Sequence, residues 1–407
     1  MEGMTDMTKS PLLELDAAVQ AQGLDAGVAA HYGNPMIEQR SLLAGRALVD
    51  LSHHGVLGIS GPDRLSWLNS IASQELRSLA VGESAETLLL DPAGRVEYAI
   101  RVIDDGVQAW LLVEAAEVAG LQAYLEKMKF MLRVQVVDFS LSYATIGSMA
   151  VEPADVLGSV GLEMARPNGV PLAWHDPWVA VARGGFQYAE TTQHPGASWR
   201  WTEMLVSRTQ LGVLRDNLVA HPVVVPAGLI ALEALRIAAW RPRRAMEVDE
   251  KTLPHELDWL RSAVHLNKGC YRGQETVAKV HNLGHPPRRL VMLHLDGSEG
   301  VLPVHGDDVQ ADRVSRVPAG AEPMTEGAEP KTERVTVGTI TSSAIHYELG
   351  PIALAVVKRT VPGTSTLFVT SDGVLISAAQ EVIVPQSAGS VAEIPRLPRL
   401  GGRTPAH

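Results

Sequence analysis

Apolar and polar positions change their spacing several times along the chain, and the changes mark its elements. Pro11 to roughly Ala30 reads as a helical leader, assigned to residues 1–30. Ala47–Leu51 and Val56–Ile59 have strand chemistry, interrupted by His53-His54-Gly55. Ser60 and Gly61 before Pro62, with Leu65, Leu68 and Ile71 on one face, predict a helix start. Leu88–Leu90, Val96–Ile103 and Val107–Val113, separated by Asp91-Pro92-Ala93-Gly94 and Asp104-Asp105-Gly106, predict an antiparallel meander. Val118–Met128 returns to helical spacing, and strands follow at Val134–Phe139 and Tyr143–Met149. Helices are predicted from Trp199 to Leu218 and from Ala227 to Ala239. This mixture lacks regular βαβ alternation, so the predicted class is α+β.

From Pro286 the chain turns to short valine-rich runs with few helix formers, so Pro286-Pro287 reads as a domain boundary. The predicted organisation is two units at about 31–150 and 151–285, then a small β unit over 286–390. A mobile insertion is expected at 311–331, rich in Ala, Glu, Pro, Gly and Thr, and a disordered tail at 391–407. A chain of 407 residues exceeds what one hydrophobic core usually supports.

Composition narrows the function classes. A net charge of −11 argues against a main partner that is a nucleic-acid backbone. The longest apolar run, Val223–Ala239, is broken by Pro226 and carries Glu233 and Arg236, too short and too charged to span a bilayer. The one cysteine excludes an internal disulfide framework and fits a reducing compartment, so a cytoplasmic protein is expected.

That cysteine lies in Lys268-Gly269-Cys270-Tyr271-Arg272-Gly273-Gln274-Glu275. Gly269 and Gly273 permit a tight turn, while Lys268 and Arg272, or amides at the start of a helix such as Gln274–Lys279, favour thiolate over thiol. A buried small hydrophobe is the other reading of Cys270, and the residues leave both open. His265, His281, His285 and His294 lie nearby, but their spacings match no zinc pattern, and one cysteine cannot hold an iron–sulfur cluster alone. No independent metal site is expected.

The octapeptide resembles the signature of the YgfZ family, folate-binding proteins related to the T-protein, the aminomethyltransferase of the glycine cleavage system. Leu235-Arg236-Ile237, Glu247-Val248-Asp249, Thr252–Glu256, Asp50-Leu51-Ser52, Gly61-Pro62-Asp63 and Val337–Ser342 are similar to other family segments in order, so the resemblance spans roughly residues 30 to 385. It implies a ring of units around a central tetrahydrofolate cavity, a C-terminal β-barrel, and Cys270 at the rim. Tyr98, Arg236, Lys268 and Arg272 are the implied folate contacts.

Two departures matter. Where the aminomethyltransferases carry an Asp-Asp pair, this chain has Glu97-Tyr98, which weakens a classical transferase reading because acid–base work depends on placement. Relatives carry Glu-Ala-Gly where this chain has Ala238-Ala239-Trp240. The resemblance therefore implies an accessory factor for assembly or repair of iron–sulfur clusters, with iron–sulfur enzymes or cluster carriers as partners. The alternatives are a folate-dependent one-carbon transferase using Glu97 and a scaffold that has lost folate.

Overall fold

A computed structural model of the chain describes residues 9–220, 224–314 and 332–392. In chain order, β1 (Ala18–Gln20) and β2 (Ala29–Tyr32) form a hairpin, followed by α1 (Pro35–Leu43), β3 (Ala47–Asp50), β4 (Gly55–Ser60) and α2 (Arg64–Ile71). The meander is β5 (Ser84–Leu90), β6 (Val96–Asp104) and β7 (Gln108–Val113), and α3 (Val118–Met128), β8 (Gln135–Asp138), β9 (Tyr143–Ser148) and α4 (Pro153–Ser159) follow. Next come β10 (Ala173–His175), β11 (Thr202–Ser207), α5 (Leu211–Ala220), β12 (Val225–Ala227), α6 (Leu229–Ala238), α7 (Arg244–Glu247) and α8 (Gln274–Leu283). The last strands are β13 (Arg288–Leu295), β14 (Asp308–Val314), β15 (Thr332–His346), β16 (Gly350–Lys358), β17 (Leu367–Ser371) and β18 (Val374–Val382).

Three sheets carry the architecture. The order β5-β6-β7-β4-β8 makes one five-stranded sheet, β10-β11-β9-β3-β12 a second, and β13-β16-β15-β14-β17-β18 a closed barrel. The class is α+β, as predicted. β13 shows why the barrel sits firmly on the core: Val291, Leu293 and Leu295 fill the barrel, while alternate residues Leu290 and Met292 join the main core. A register shift at Ile340–Ser342 bends the long β15 around that barrel.

Four expectations change. The leader is not a helix: a 3-10 turn at Pro11–Glu14 and the hairpin replace it, because Gly23 and Gly27 at positive φ reverse the chain between β1 and β2. The predicted helix Trp199–Leu218 is a strand, β11, followed by α5, since the alternation of Trp201, Glu203 and Leu205 serves a sheet. The boundary near 150 does not separate the two sheets. β3 and β9 pair with each other, and all of β4–β8 lies between them in sequence. Ala311–Val314 is the end of β14, while 315–331 and 393–407, the rest of the predicted insertion and most of the tail, lie outside the described residues.

Candidate functional site

Where β6 passes both β7 and the second sheet, its alternating side chains Ala99 and Arg101 face an interior cavity of about 80 Å³. Three more walls come from α6, from the segment before α7, and from a tryptophan group that includes Trp174, Trp199, Trp201 and Trp259. Gly147 on β9 lets the Trp201 ring lie against the strand, since a Cβ there would approach the ring to 2.2 Å. Trp199 stacks on Trp201 with centroids 5.8 Å apart.

Charge in this cavity is paired. Glu203 on β11 is buried, accepts from Trp201 Nε1 at 3.1 Å and from Arg101 Nη1 at 3.0 Å, and keeps lone pairs for a further donor. Arg241 reaches Glu86 and Asp176, at 2.5 and 2.9 Å. Arg243 holds Asp25 and Glu114, at 2.6 and 2.8 Å. Burial pushes the Glu114 carboxyl up, but the Arg243 guanidinium outweighs it and holds the group well below the usual range. His54, also on the cavity wall, is kept neutral by burial and by His53 beside it.

A groove outside the cavity is bounded by the β5–β6 turn, α3 and residues 248–250, and Arg244 lines both spaces. Glu97 lies in this groove, one alternate position before Ala99 on β6. Its Oε2 accepts from Arg272 Nη1 at 2.9 Å, so the octapeptide's arginine engages this carboxylate. Two glycines allow this approach. Gly273 has φ +84°, and a Cβ on it would come within 2.6 Å of Asp91 O and 3.0 Å of Gly94 Cα, so turn and octapeptide meet backbone to backbone. Tyr98 lines the groove and stands 6.3 Å from Tyr124 of α3.

The other sequence-predicted residues divide sharply. Lys268 is buried, and its Nζ donates to the carbonyl oxygens of Asn69, Ala72 and Gln74 at 2.7, 2.7 and 2.6 Å. An ammonium has three donors, so none remains for a ligand or for the thiol. Burial brings this ammonium down to about 8. Arg236 is likewise saturated: its five N–H groups go to Glu233 twice, Glu247, Ser342 and Arg241 O. Both residues are corrected from folate contacts to ties within the fold. Cys270 is exposed. Gly269 has no atom within 4 Å of an added Cβ, so the bracketing role rests on Gly273 alone. Gln274 donates to Lys268 O at 3.2 Å and opens α8 together with Glu275, while Tyr271 is buried with its ring 5.3 Å from Lys268 Nζ.

The histidines near Cys270 serve separate local contacts. His281 Nδ1 lies 2.9 Å from the Tyr188 hydroxyl, His285 Nδ1 2.7 Å from Ala388 O, and His294 Nε2 3.2 Å from Glu381. Among the described residues no group of three or more His, Cys, Asp or Glu is arranged to hold a metal ion. Nor is any helix among them long and apolar enough to cross a membrane.

Sequence reasoning missed Glu203, Glu117 and the tryptophan wall. A signal for the wall was present, since six of the eight tryptophans fall between Trp174 and Trp259.

Together, the two interleaved sheets, the barrel and the cavity between them define a protein of the aminomethyltransferase fold. The crystal structure of glycine cleavage system aminomethyltransferase T from Bartonella henselae superposes with a TM-score of 0.66 at 19% identity, covering 94% of this chain and 95% of that one. The chain is 25% identical over 364 residues to an aminomethyltransferase of Nostoc sp., spanning 86% of this chain and 88% of that protein. It is also 26% identical over 261 residues to a chloroplastic protein of Arabidopsis thaliana named as a transferase, a match that covers 62% of this chain and 56% of that protein. No protein-family model matches the chain.

Proposed function

We propose that this chain binds tetrahydrofolate or a derivative in its central cavity and handles the one-carbon unit that the folate carries, as an aminomethyltransferase-type transferase. Glu203 carries the reading. A buried carboxylate with unused lone pairs, set among flat tryptophan faces, suits a fused heteroaromatic ring that presents adjacent N–H donors, the chemistry of a pterin. At about 80 Å³ the cavity is below the ~300–1,000 Å³ of typical small-molecule pockets, so binding requires it to widen. Bound tetrahydrofolate would accept the one-carbon unit from an aminomethyl donor, whose amine leaves as ammonia. Glu97, in the adjoining groove, would take up a proton in that transfer once Arg272 releases it. Curated relatives that bear the aminomethyltransferase name support this reading.

A second reading rests on a different observation. Cys270 is exposed while Glu97 is engaged by Arg272, which favours a folate-bound accessory factor that offers the thiol to iron–sulfur enzymes or cluster-carrier proteins.

Calorimetric titration with tetrahydrofolate tests the common part. Binding is expected in the wild type and weakened at least tenfold in Glu203→Gln, and no heat of binding from folded wild type sinks both readings. Turnover with an aminomethyl donor, lost in Glu97→Gln, selects the transferase. Absence of turnover, with loss of iron–sulfur client activity in cells carrying Cys270→Ser, selects the accessory factor.

A further inference from the structure

Five arginines line the central cavity, and four of them spend their guanidinium groups on carboxylates: Arg101, Arg236, Arg241 and Arg243. Arg244 differs. Its only hydrogen bond among the described residues runs from Nε to the Glu97 carbonyl oxygen, 3.0 Å, so neither Nη group has a hydrogen-bond partner among them, and the residue lines both cavity and groove. Its ring neighbour is Tyr98, 5.9 Å from the guanidinium carbon to the centroid.

Among the described residues, the carboxylate within ion-pair distance of Arg244 is Glu117, just before α3. Arg244 Nε stands 2.8 Å from Glu117 Oε1, but not in hydrogen-bond alignment, and neither oxygen of Glu117 has a hydrogen-bond partner among the described residues. Glu117 is buried while Arg244 is one-third exposed, so the acid sits behind the base and away from any ligand. A buried carboxylate without hydrogen bonds is poorly held in its ionised form.

We propose that Arg244 is the anion-recognising side chain at the junction of groove and cavity, and that Glu117 is its positioning residue, whose protonation releases the full charge of Arg244 to a bound anion. The inference rests on the folate reading for the identity of the natural anion, a carboxylate of the folate's glutamyl part. It names a residue pair that the resemblance does not.

The electrostatics agree with the geometry. Burial pushes Glu117 up to about 7; Arg244 and Arg101 pull it down, and Glu114 adds to the rise. These groups, with Tyr98 on β6, are the charged and titratable neighbours that face it. Below that value Glu117 is neutral and Arg244 stands uncompensated. Above it, the pair is internally neutralised. Anion affinity therefore falls as pH rises through neutrality, and by linkage anion binding takes up protons there.

The test uses the full-length protein with two probes whose charge is constant between pH 6 and 8: 5-formyltetrahydrofolate, followed by calorimetry, and inorganic sulfate, followed as the rise in melting temperature. Wild type is expected to bind the folate about tenfold more tightly at pH 6 than at pH 8. Proton uptake near pH 7, read from buffers of different ionisation enthalpy, accompanies that binding. Glu117→Gln should bind tightly at both values with no uptake. Arg244→Gln should bind weakly at both, and Arg244→Lys should regain part of the loss. Sulfate should stabilise wild type more at pH 6 than at pH 8, and Arg244→Gln should lose that difference, which removes the non-specific effect of the salt. If sulfate behaves so and the folate does not bind, the folate reading fails and the Arg244 assignment stands. A pH response that persists unchanged in Glu117→Gln, or anion binding unaltered in Arg244→Gln, overturns the assignment.

Discussion

The central cavity and the octapeptide at the rim of the outer groove use positive charge in opposite ways. In the cavity, guanidinium groups face carboxylates, as Arg241 faces Glu86 and Asp176, and the paired charges hold the walls in place. At the rim, Lys268 turns inward onto three backbone carbonyls and Arg272 crosses to Glu97, while Cys270 between them is left exposed without either cation. The comparison teaches that a cation next to a cysteine in sequence need not be a cation next to its sulfur. Lys268 shapes the segment from below, and the segment then presents its thiol.

The largest effect expected from this contrast belongs to Lys268. Lys268→Met strands three buried carbonyls and should cost about 3–4 kcal/mol in urea unfolding. A cost below about 1 kcal/mol would erase the distinction between anchor and rim. Next is the glycine contact. Gly273→Ala meets both a left-handed φ and the Asp91 carbonyl and should cost about 2 kcal/mol or more, whereas Gly269→Ala should stay within about 0.5 kcal/mol. Equal costs would mean that turn and octapeptide do not meet as described.

A pH effect follows from the buried acid beside the cavity. Glu117 holds its proton to about 7 in the folded chain against 4.5 as its ordinary value, so between these limits the folded state binds the extra proton and stability falls as pH rises. Glu117→Gln removes this slope, and relative to wild type it should gain on the order of 1–2 kcal/mol between pH 5 and pH 8, read from melting curves at each pH. An unchanged slope would show that Glu117 is not the group that titrates. The smallest effects belong to the exposed side chains: Cys270→Ser and Arg272→Ala should each alter unfolding free energy by less than about 1 kcal/mol. Larger losses would make the rim a structural element like Lys268.

Much of this arrangement was legible in the sequence. The meander and α3 follow from alternation and turn residues that act locally, while the barrel was implied by the resemblance. The turn at Asp104-Asp105-Gly106 behaves as read: Asp105 accepts from the Val107 and Gln108 amides. β11 was misread because its partners β9 and β10 are distant in sequence, and the leader because Gly23 and Gly27 turn it into a hairpin where spacing alone favoured a helix. The candidate site could be sketched from Glu97 and Cys270, since one is set by a turn and the other by its motif. It was not legible at Arg236 or Lys268, whose partners Ser342 and Asn69 lie 106 and 199 residues away. Glu203 and Glu117 gave no local signal, because their meaning comes from what the fold buries around them.

The pairing of β3 with β12 carries a consequence for synthesis. Ala47–Val49 align in parallel with Val225–Ala227, while the other edge of β3 joins β9. A nascent chain that has not yet released residue 227 from the ribosome therefore holds β3, the next-to-last strand of its second sheet, with one side open. The β4–β8 sheet is complete in sequence by Asp138 and is free to form first. Commitment to the cavity waits for more than half of the chain, so polypeptides interrupted between those two points expose an edge suited to pairing with other chains, and the cell must shield or degrade them.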